Sequence, residues 1–387
     1  MTILRSFLDW FWNPDVWLPP GIGWADIQPN EKTKYCNYGD LLYPIPAALC
    51  LICVRFVVER TILIPWGQAL GLKKSYKTFA SLPHNDELEN AYRKSRAKLT
   101  YKEMEVLAKK TDMEVRQIER WIRRRLAKDK HTTLTKFSEC GWRWICYTMS
   151  FGVGLYVMWD KPWFWDINHC WYDFPHHGVP DDVWWYYVFG AGFYWSLLIT
   201  QAFDAKRKDF WQMFVHHLTT IALMGFSWVC NFIRIGTLIL IIHDCADVFL
   251  EAAKMCKYAK YDTLGDVIFA IFTILWIGTR LGVYPLYVLN STLIEAPKIV
   301  PMFPAYYIFN SMLIILLVLH TFWTYYILKV AVKAVVSGKI EDSRSSSESV
   351  SEFSDSDENV VTKDKAANHL PSQNAPVAEI VDSKKTS

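Results

Sequence analysis

The sequence predicts an all-α, polytopic membrane protein, with about seven transmembrane helices enclosing an intramembrane cavity and a small helical insert on the cytosolic side. Three observations predict it. Hydrophobic residues make up 52% of the 387 positions against 21% charged, and they gather into runs of 16 to 26 residues, close to the roughly 20 that a bilayer-crossing helix needs. Aromatics reach 16%, with 19 Trp, a content suited to residues that settle at membrane interfaces. Lys and Arg crowd into alternate connections between the runs. A single soluble globule and a wholly disordered chain are thereby excluded. The nine Cys are odd in number and scattered, which argues against a secreted, disulfide-stapled domain. Five of them (Cys50, Cys53, Cys146, Cys230 and Cys245) lie in or beside apolar runs, where a thiol packs as a small hydrophobe.

The elements follow in order. Residues 1–40 are polar and rich in Trp and Pro, with short apolar patches only, so no cleavable signal peptide is expected and the segment reads as lumenal. The first span is 41–64. A hydrophilic block over 73–136 holds 18 Lys/Arg against 9 Asp/Glu. Six further spans are expected at 144–159, 183–203, 211–232, 235–250, 267–289 and 305–330, within a domain covering 137–330. The basic block shares its side with Lys206, Arg207 and Lys208, then Lys254, Lys257 and Lys260, then Lys329, Lys333 and Lys339. The opposite loops carry Lys161, Arg234 and Lys298, one apiece. Positive charge stays on the cytosolic side, so the N-terminus is expected in the lumen and the C-terminus in the cytosol.

Residues 338–387 change composition. Positions 341–358 hold eight Ser and seven Asp/Glu against one basic residue, too little apolar content to offset ordering entropy, so this acidic tail is expected to be disordered and cytosolic. Ser345, Ser349 and Ser354 each precede an acidic residue by three positions. That pattern suits acidophilic kinases and makes them phosphorylation candidates.

Within the basic block, residues 73–131 form a unit of their own. Leu99-Thr100 opens a helix, Thr111-Asp112 makes a turn, and 114–128 reads as a second helix. Val115, Ile118, Trp121 and Ile122 recur at helical spacing, with Arg123, Arg124 and Arg125 on the exposed side. This resembles the last two helices of a homeodomain, with Trp121 at that family's buried tryptophan. The adenine-reading Asn of homeodomains falls on Arg124, and a first helix near 83–92 is weakly marked. Arginines alone supply phosphate affinity without base readout. Specific DNA binding is therefore not expected, and a helical scaffold facing anionic headgroups or nucleotide phosphates is.

The sharpest signal lies in the fourth and fifth spans. Ionisable groups inside spans are costly and usually face a cavity or each other. His216 and His217 sit five residues into one span; His243, Asp244 and Asp247 lie in the next, with Glu251 near its end. Positions 243, 247 and 251 are successive i, i+4 neighbours on one stripe. Metal binding, proton relay, acyl transfer and plain polar packing are all open to such a cluster. Adjacent His216 and His217 point about 100° apart on a helix, which disfavours one shared metal ion, and no metal is expected. A carboxylate fixing one imidazole while its other nitrogen meets substrate is the general-base or nucleophile arrangement.

The run Phe193-Tyr194-Trp195-Ser196, then Asp204 to Phe210, His216-His217, Arg234 to Thr237, His243-Asp244, Asp247 and Glu251 to Lys254 resembles the signature of the longevity-assurance ceramide synthases, membrane enzymes of the TLC-domain superfamily. The likeness extends to the Trp12 to Asp26 opening, the truncated homeodomain-like block, Lys161-Pro162-Trp163 and the acidic tail.

That resemblance implies N-acylation of a sphingoid long-chain base by a fatty acyl-CoA, giving (dihydro)ceramide and CoA. Acyl-CoA is a co-substrate and no cofactor is expected. It implies His216 as the reacting imidazole, Asp244 or Asp247 orienting it, and His217 and His243 shaping the site. Substrate contacts are expected from Lys206, Arg207 and Lys208 (facing CoA phosphates), Trp195 and Arg234. Partners are membrane lipids and a second subunit in a homo- or heterodimer. The location implied is the endoplasmic-reticulum membrane, extending to the nuclear envelope. Acyl-chain selection is expected deep in the spans or in a non-cytosolic loop over 291–304, which the family associates with chain length. Asn290 opens a lumen-facing glycosylation sequon. Arg280 either snorkels or pairs with a buried carboxylate. Two rival functions remain open: a non-catalytic TLC-type protein that senses or moves lipid, and a membrane-tethered regulator acting through 95–130.

Overall fold

A computed structural model describes residues 2–29, 33–72, 85–95, 99–129, 131–205 and 207–337. Lys206, the acidic tail and its candidate sites Ser345, Ser349 and Ser354 lie outside the described residues. Among the described residues all regular structure is helical. Two short helices, Thr2–Phe11 and Pro14–Trp17, precede α1 (Tyr38–Ala69). Three helices follow: α2 (Asp86–Ser95), α3 (Tyr101–Thr111) and α4 (Val115–Asp129). Six long helices follow, α5 (Thr133–Met158), α6 (Asp181–Thr200), α7 (Phe210–Val229), α8 (Ile233–Tyr258), α9 (Asp262–Ile299) and α10 (Ala305–Ser337), with short turns Pro162–Trp165 and Ile167–Cys170 between α5 and α6.

Each predicted span falls on one of α1 and α5 to α10. Among the described residues, three helices are long and apolar enough to cross a membrane by length and composition: α1, α9 and residues Ala305–Ala334 of α10, at mean hydropathies of 2.2, 1.8 and 1.8.

Local chemistry sets the boundaries. Helix α5 starts where the Thr132 hydroxyl accepts from the Thr135 amide at 3.1 Å, a side-chain cap for an otherwise orphaned N–H. Helix α3 starts with a capping box, the Thr100 amide donating to Glu103 Oε2 at 2.7 Å. It ends at Asp112, whose φ of 51° is left-handed and reverses the chain at the turn read from the sequence.

The basic insert is a three-helix unit. Leu88, Leu107, Ile118, Trp121 and Ile122 form its own core, and α2 supplies the helix that the sequence marks weakly. Arg125 Nε donates to Glu89 Oε2 at 2.8 Å; Arg125 beside it lowers the Glu89 carboxyl to about 2. Arg123 and Arg124 are exposed.

The main core joins α5 to α8 with the N-terminal segment, where Trp17 and Leu18 are fully buried. Trp17 lies against Phe226 of α7 at 4.8 Å between rings. Helices α1 and α6 approach closely at Gly192, where a Cβ would stand 2.9 Å from that of Ala47; a larger residue there would drive the helices apart.

One expectation is corrected at α9. The helix does not stop near 289 to leave a loop over 291–304; it continues to Ile299. Residues 277–289 wind in wider turns that hold Pro285 inside the helix. Packing holds the extension in place: Trp171 Nε1 donates to Ser291 Oγ at 2.8 Å. Asn290 is therefore exposed on a helix, not on a loop, and the sequon hydroxyl of Thr292 is buried, donating to the Leu289 carbonyl at 3.2 Å.

Candidate active site

Four imidazoles from three helices line one polar cavity of about 1070 Å³: His216 and His217 from α7, His243 from α8 and His320 from α10. One end of that cavity is charged. Arg143 of α5, Arg207 between α6 and α7, and Lys254 of α8 stand there with Asp204 and Glu251. Glu251 pairs with Lys254 at 2.7 Å and with Arg143 at 3.4 Å. Asp204 pairs with Arg55 of α1 at 2.7 Å and Arg143 at 3.4 Å. These cationic side chains are partly compensated, which lets them face a water-poor space without the full cost of buried charge.

A second cavity of about 930 Å³ is apolar, walled by Leu223, Met224, Phe232, Ile239, Phe303 and Phe309 among others. His243 is common to both linings. The two cavities, one cation-ended and lined by imidazoles and one apolar, thus lie on either side of His243 among α5 to α10.

Hydrogen bonds define which imidazole nitrogens are occupied. His217 Nδ1 lies 3.0 Å from Gln201 Oε1. The Gln201 amide N–H donates to the Phe210 carbonyl at 2.7 Å, so its oxygen is the acceptor and His217 Nδ1 carries the proton. His243 Nδ1 meets the Ile239 carbonyl at 2.6 Å, and its Nε2 lies 3.1 Å from His320 Nε2. His216 Nδ1 and His320 Nδ1 are buried without a hydrogen-bond partner. The His216 ring stands edge-on to Trp323 at 5.5 Å and faces Tyr194 at 6.5 Å.

The carboxylates do not orient the imidazoles as expected. Asp244, 2% exposed, turns to α5 and accepts from the Ser150 hydroxyl at 2.5 Å; it does not line the polar cavity. Asp247 does line it, but pairs with Arg280 at 3.2 Å. Arg280, itself 2% exposed, also donates to the carbonyls of Ile242 at 2.8 Å and His243 at 2.6 Å, and stacks over Trp276. The snorkelling account of Arg280 is excluded: it braces α9 on α8. The reason is helical phase, because the 100° step from 243 to 244 carries Asp244 off the imidazole face.

Of the expected substrate contacts, Arg207 faces the chamber, whereas Lys208 and Trp195 do not line it. Arg234 sits eight positions before Ile242, at the other end of α8, donating to the His169 carbonyl at 2.6 Å and covering Trp163 at 4.7 Å. It ties the α5–α6 connection to α8 and cannot join the cationic mouth. In the same connection His177, 5% exposed, contacts the Asn231 carbonyl at 3.1 Å, and burial pushes it down to about 3.

Sequence reasoning missed His320, Arg143 and Gln201 as parts of the site. His320 alone carried a usable signal, an ionisable group within the apolar run 305–330.

The TLC domain family of membrane proteins matches residues 136–329, half of the chain and the stretch that carries all four imidazoles. Within that class the chain belongs to the ceramide synthase family. It is 40% identical over 348 residues to ceramide synthase 5 of Homo sapiens, covering 89% of this chain and 88% of that protein. Ceramide synthase 4 of Homo sapiens is 35% identical over 339 residues, 88% and 86% of the two chains. Ceramide synthase hyl-1 of Caenorhabditis elegans is 34% identical over 354 residues, 88% and 84%.

Proposed function

We propose that the protein is a ceramide synthase that transfers a fatty acyl group from acyl-CoA to the amine of a sphingoid long-chain base, releasing CoA. One observation carries the reading: His243 stands where a cation-ended polar cavity meets an apolar one, with three further imidazoles lining the polar side. In this reading the acyl chain lies in the apolar cavity and the CoA phosphates at Arg143, Arg207 and Lys254. The thioester carbonyl then falls among the imidazoles, held for attack. His216, with Nδ1 open, takes the acyl group or the amine proton. The dry, aromatic walls limit hydrolysis of the thioester.

The same reading places seven spans in the endoplasmic-reticulum membrane, the N-terminus in the lumen and the cationic mouth toward the cytosol. The distribution of Lys and Arg supports that orientation. Lipid sensing without catalysis would have no use for open imidazole nitrogens beside a cationic mouth.

Membranes carrying the protein, given sphinganine and a panel of acyl-CoAs, test the proposal by the mass of the amide formed. His216→Ala is expected to lower turnover at least roughly 1,000-fold. Wild-type membranes that form no amide, or a His216→Ala variant of normal turnover, would each overturn it.

A further inference from the structure

We infer that His320 is a further catalytic residue, the base that takes a proton from the sphingoid amine. The inference rests on the acyltransferase reading. It starts from a chain of three hydrogen-bonding groups whose protons are fixed by the first. The Ile239 carbonyl can only accept, so the 2.6 Å contact requires a proton on His243 Nδ1. A neutral His243 then has its lone pair on Nε2, and the 3.1 Å contact to His320 Nε2 is filled by the His320 N–H. With one proton per neutral ring, His320 Nδ1 is left as a bare acceptor, and that atom is buried with no hydrogen-bond partner. A buried unsatisfied acceptor costs free energy, and His320 lines the polar cavity beside His216. His320 Nδ1 is enclosed in this packing, on a ring that borders the polar cavity, and a sphingoid ammonium entering that cavity is the donor that satisfies it once the wall beside the ring gives way.

The same geometry keeps His243 out of contact with substrate. Both of its nitrogens are engaged, so it serves as a positioning residue that holds His320 in the tautomer with Nδ1 open. The surroundings suit the role. His320 is 1% exposed, with the Tyr284 ring 5.1 Å and the Trp276 ring 6.0 Å away. The titratable and charged groups around this chamber are His216 and His217 of α7, His243 and Asp247 of α8, Arg280 and Tyr284 of α9 and Tyr147 of α5, with Arg143, Asp204, Arg207, Asp209, Glu251 and Lys254 at its charged end.

The step balances as follows. An N–H bond of the ammonium breaks and its proton bonds to His320 Nδ1, leaving a neutral amine with its lone pair. The His320 Nε2 proton shifts toward His243 Nε2, which spreads the positive charge over two rings. The amine attacks the acyl carbon, and the leaving group departs with the bonding electron pair and takes up the second amine proton. The proton held by the imidazole pair then returns to water through the cationic mouth.

His320→Gln keeps an N–H for His243 but has no base; His320→Asn is the smaller control. In purified full-length protein, both variants are expected to lose about 100-fold in kcat, the lower range for a general base. KM for acyl-CoA should stay within about twofold. Their rates should rise steadily with pH while wild type levels off, because free amine substitutes for the missing base. Full kcat in His320→Gln, or an unchanged pH profile, would overturn the inference. So would failure of both variants to fold, which would mark His320 as structural. Wild-type protein making no amide in the same assay would instead defeat the acyltransferase reading.

Discussion

The apolar cavity sets a length limit that substitution can move. From His243 its lining follows α8 to Ile235 and on to Phe232, eleven residues, or about 16 Å at 1.5 Å per residue. Ala296 of α9, 6% exposed, stands in the wall at that far end with Phe303 and Trp171. Ala296→Phe would fill the floor. Taking roughly three methylenes displaced, at about 0.8 kcal/mol each, the longest accepted chain loses about 2.4 kcal/mol, or roughly 60-fold in kcat/KM at 1.36 kcal/mol per decade. Chains shorter by four carbons should be unaffected. The assay is competition within a mixed acyl-CoA panel, with the amides resolved by mass. A product distribution identical to wild type in a folded Ala296→Phe variant would refute the placement of the acyl chain. Equal loss for all chain lengths would refute it as well.

Three other outcomes follow from the contacts. Arg280→Met removes an ion-pair partner of Asp247 and the side-chain donor to two helix carbonyls. Breaking a buried pair costs about 3 to 5 kcal/mol, and the partly exposed Asp247 puts this one near 3. Heat inactivation in detergent should show the loss, with part of it restored when Asp247→Asn is added. His177 is held neutral in the fold, with a pKa of about 3 against 6.5 for the free side chain. The unfolded chain therefore binds more protons below pH 6.5, and stability falls as pH drops from 7 to 5, by about 2 kcal/mol. Melting curves at the two pH values should show this, and His177→Gln should flatten the dependence. Glu89→Gln should loosen the three-helix insert by removing its ion pair with Arg125, read as faster amide exchange in α2.

Sequence alone carried the helices well, because long apolar runs and Lys/Arg asymmetry are local signals. It also placed His216, His217 and His243 in one chamber, since ionisable side chains stand out against a hydrocarbon background. Pairing was not legible. Asp244 and Asp247 read as imidazole partners from one-dimensional spacing, yet their bonds go to Ser150 of α5 and Arg280 of α9, helices whose rotation spacing does not encode. His320 stands 77 residues from His243; as a single histidine in an apolar run it lacked the neighbours that marked the others. The extension of α9 to Ile299 was not legible in 291–304, because the packing that holds it, Trp171 on Ser291, joins residues 120 positions apart. Arg234 matched the family's run but answers to its own end of α8.

The chamber itself is most directly tested by an acyl-CoA with a photoreactive group at the far end of its chain. Crosslinks mapped by mass spectrometry should fall on Phe232, Met302, Phe303 and Ala296. Labelling should compete with unmodified acyl-CoA and persist in His216→Ala. Labels scattered over outward-facing residues such as Val54, Phe56 and Val57, with none on the cavity wall, would contradict the account.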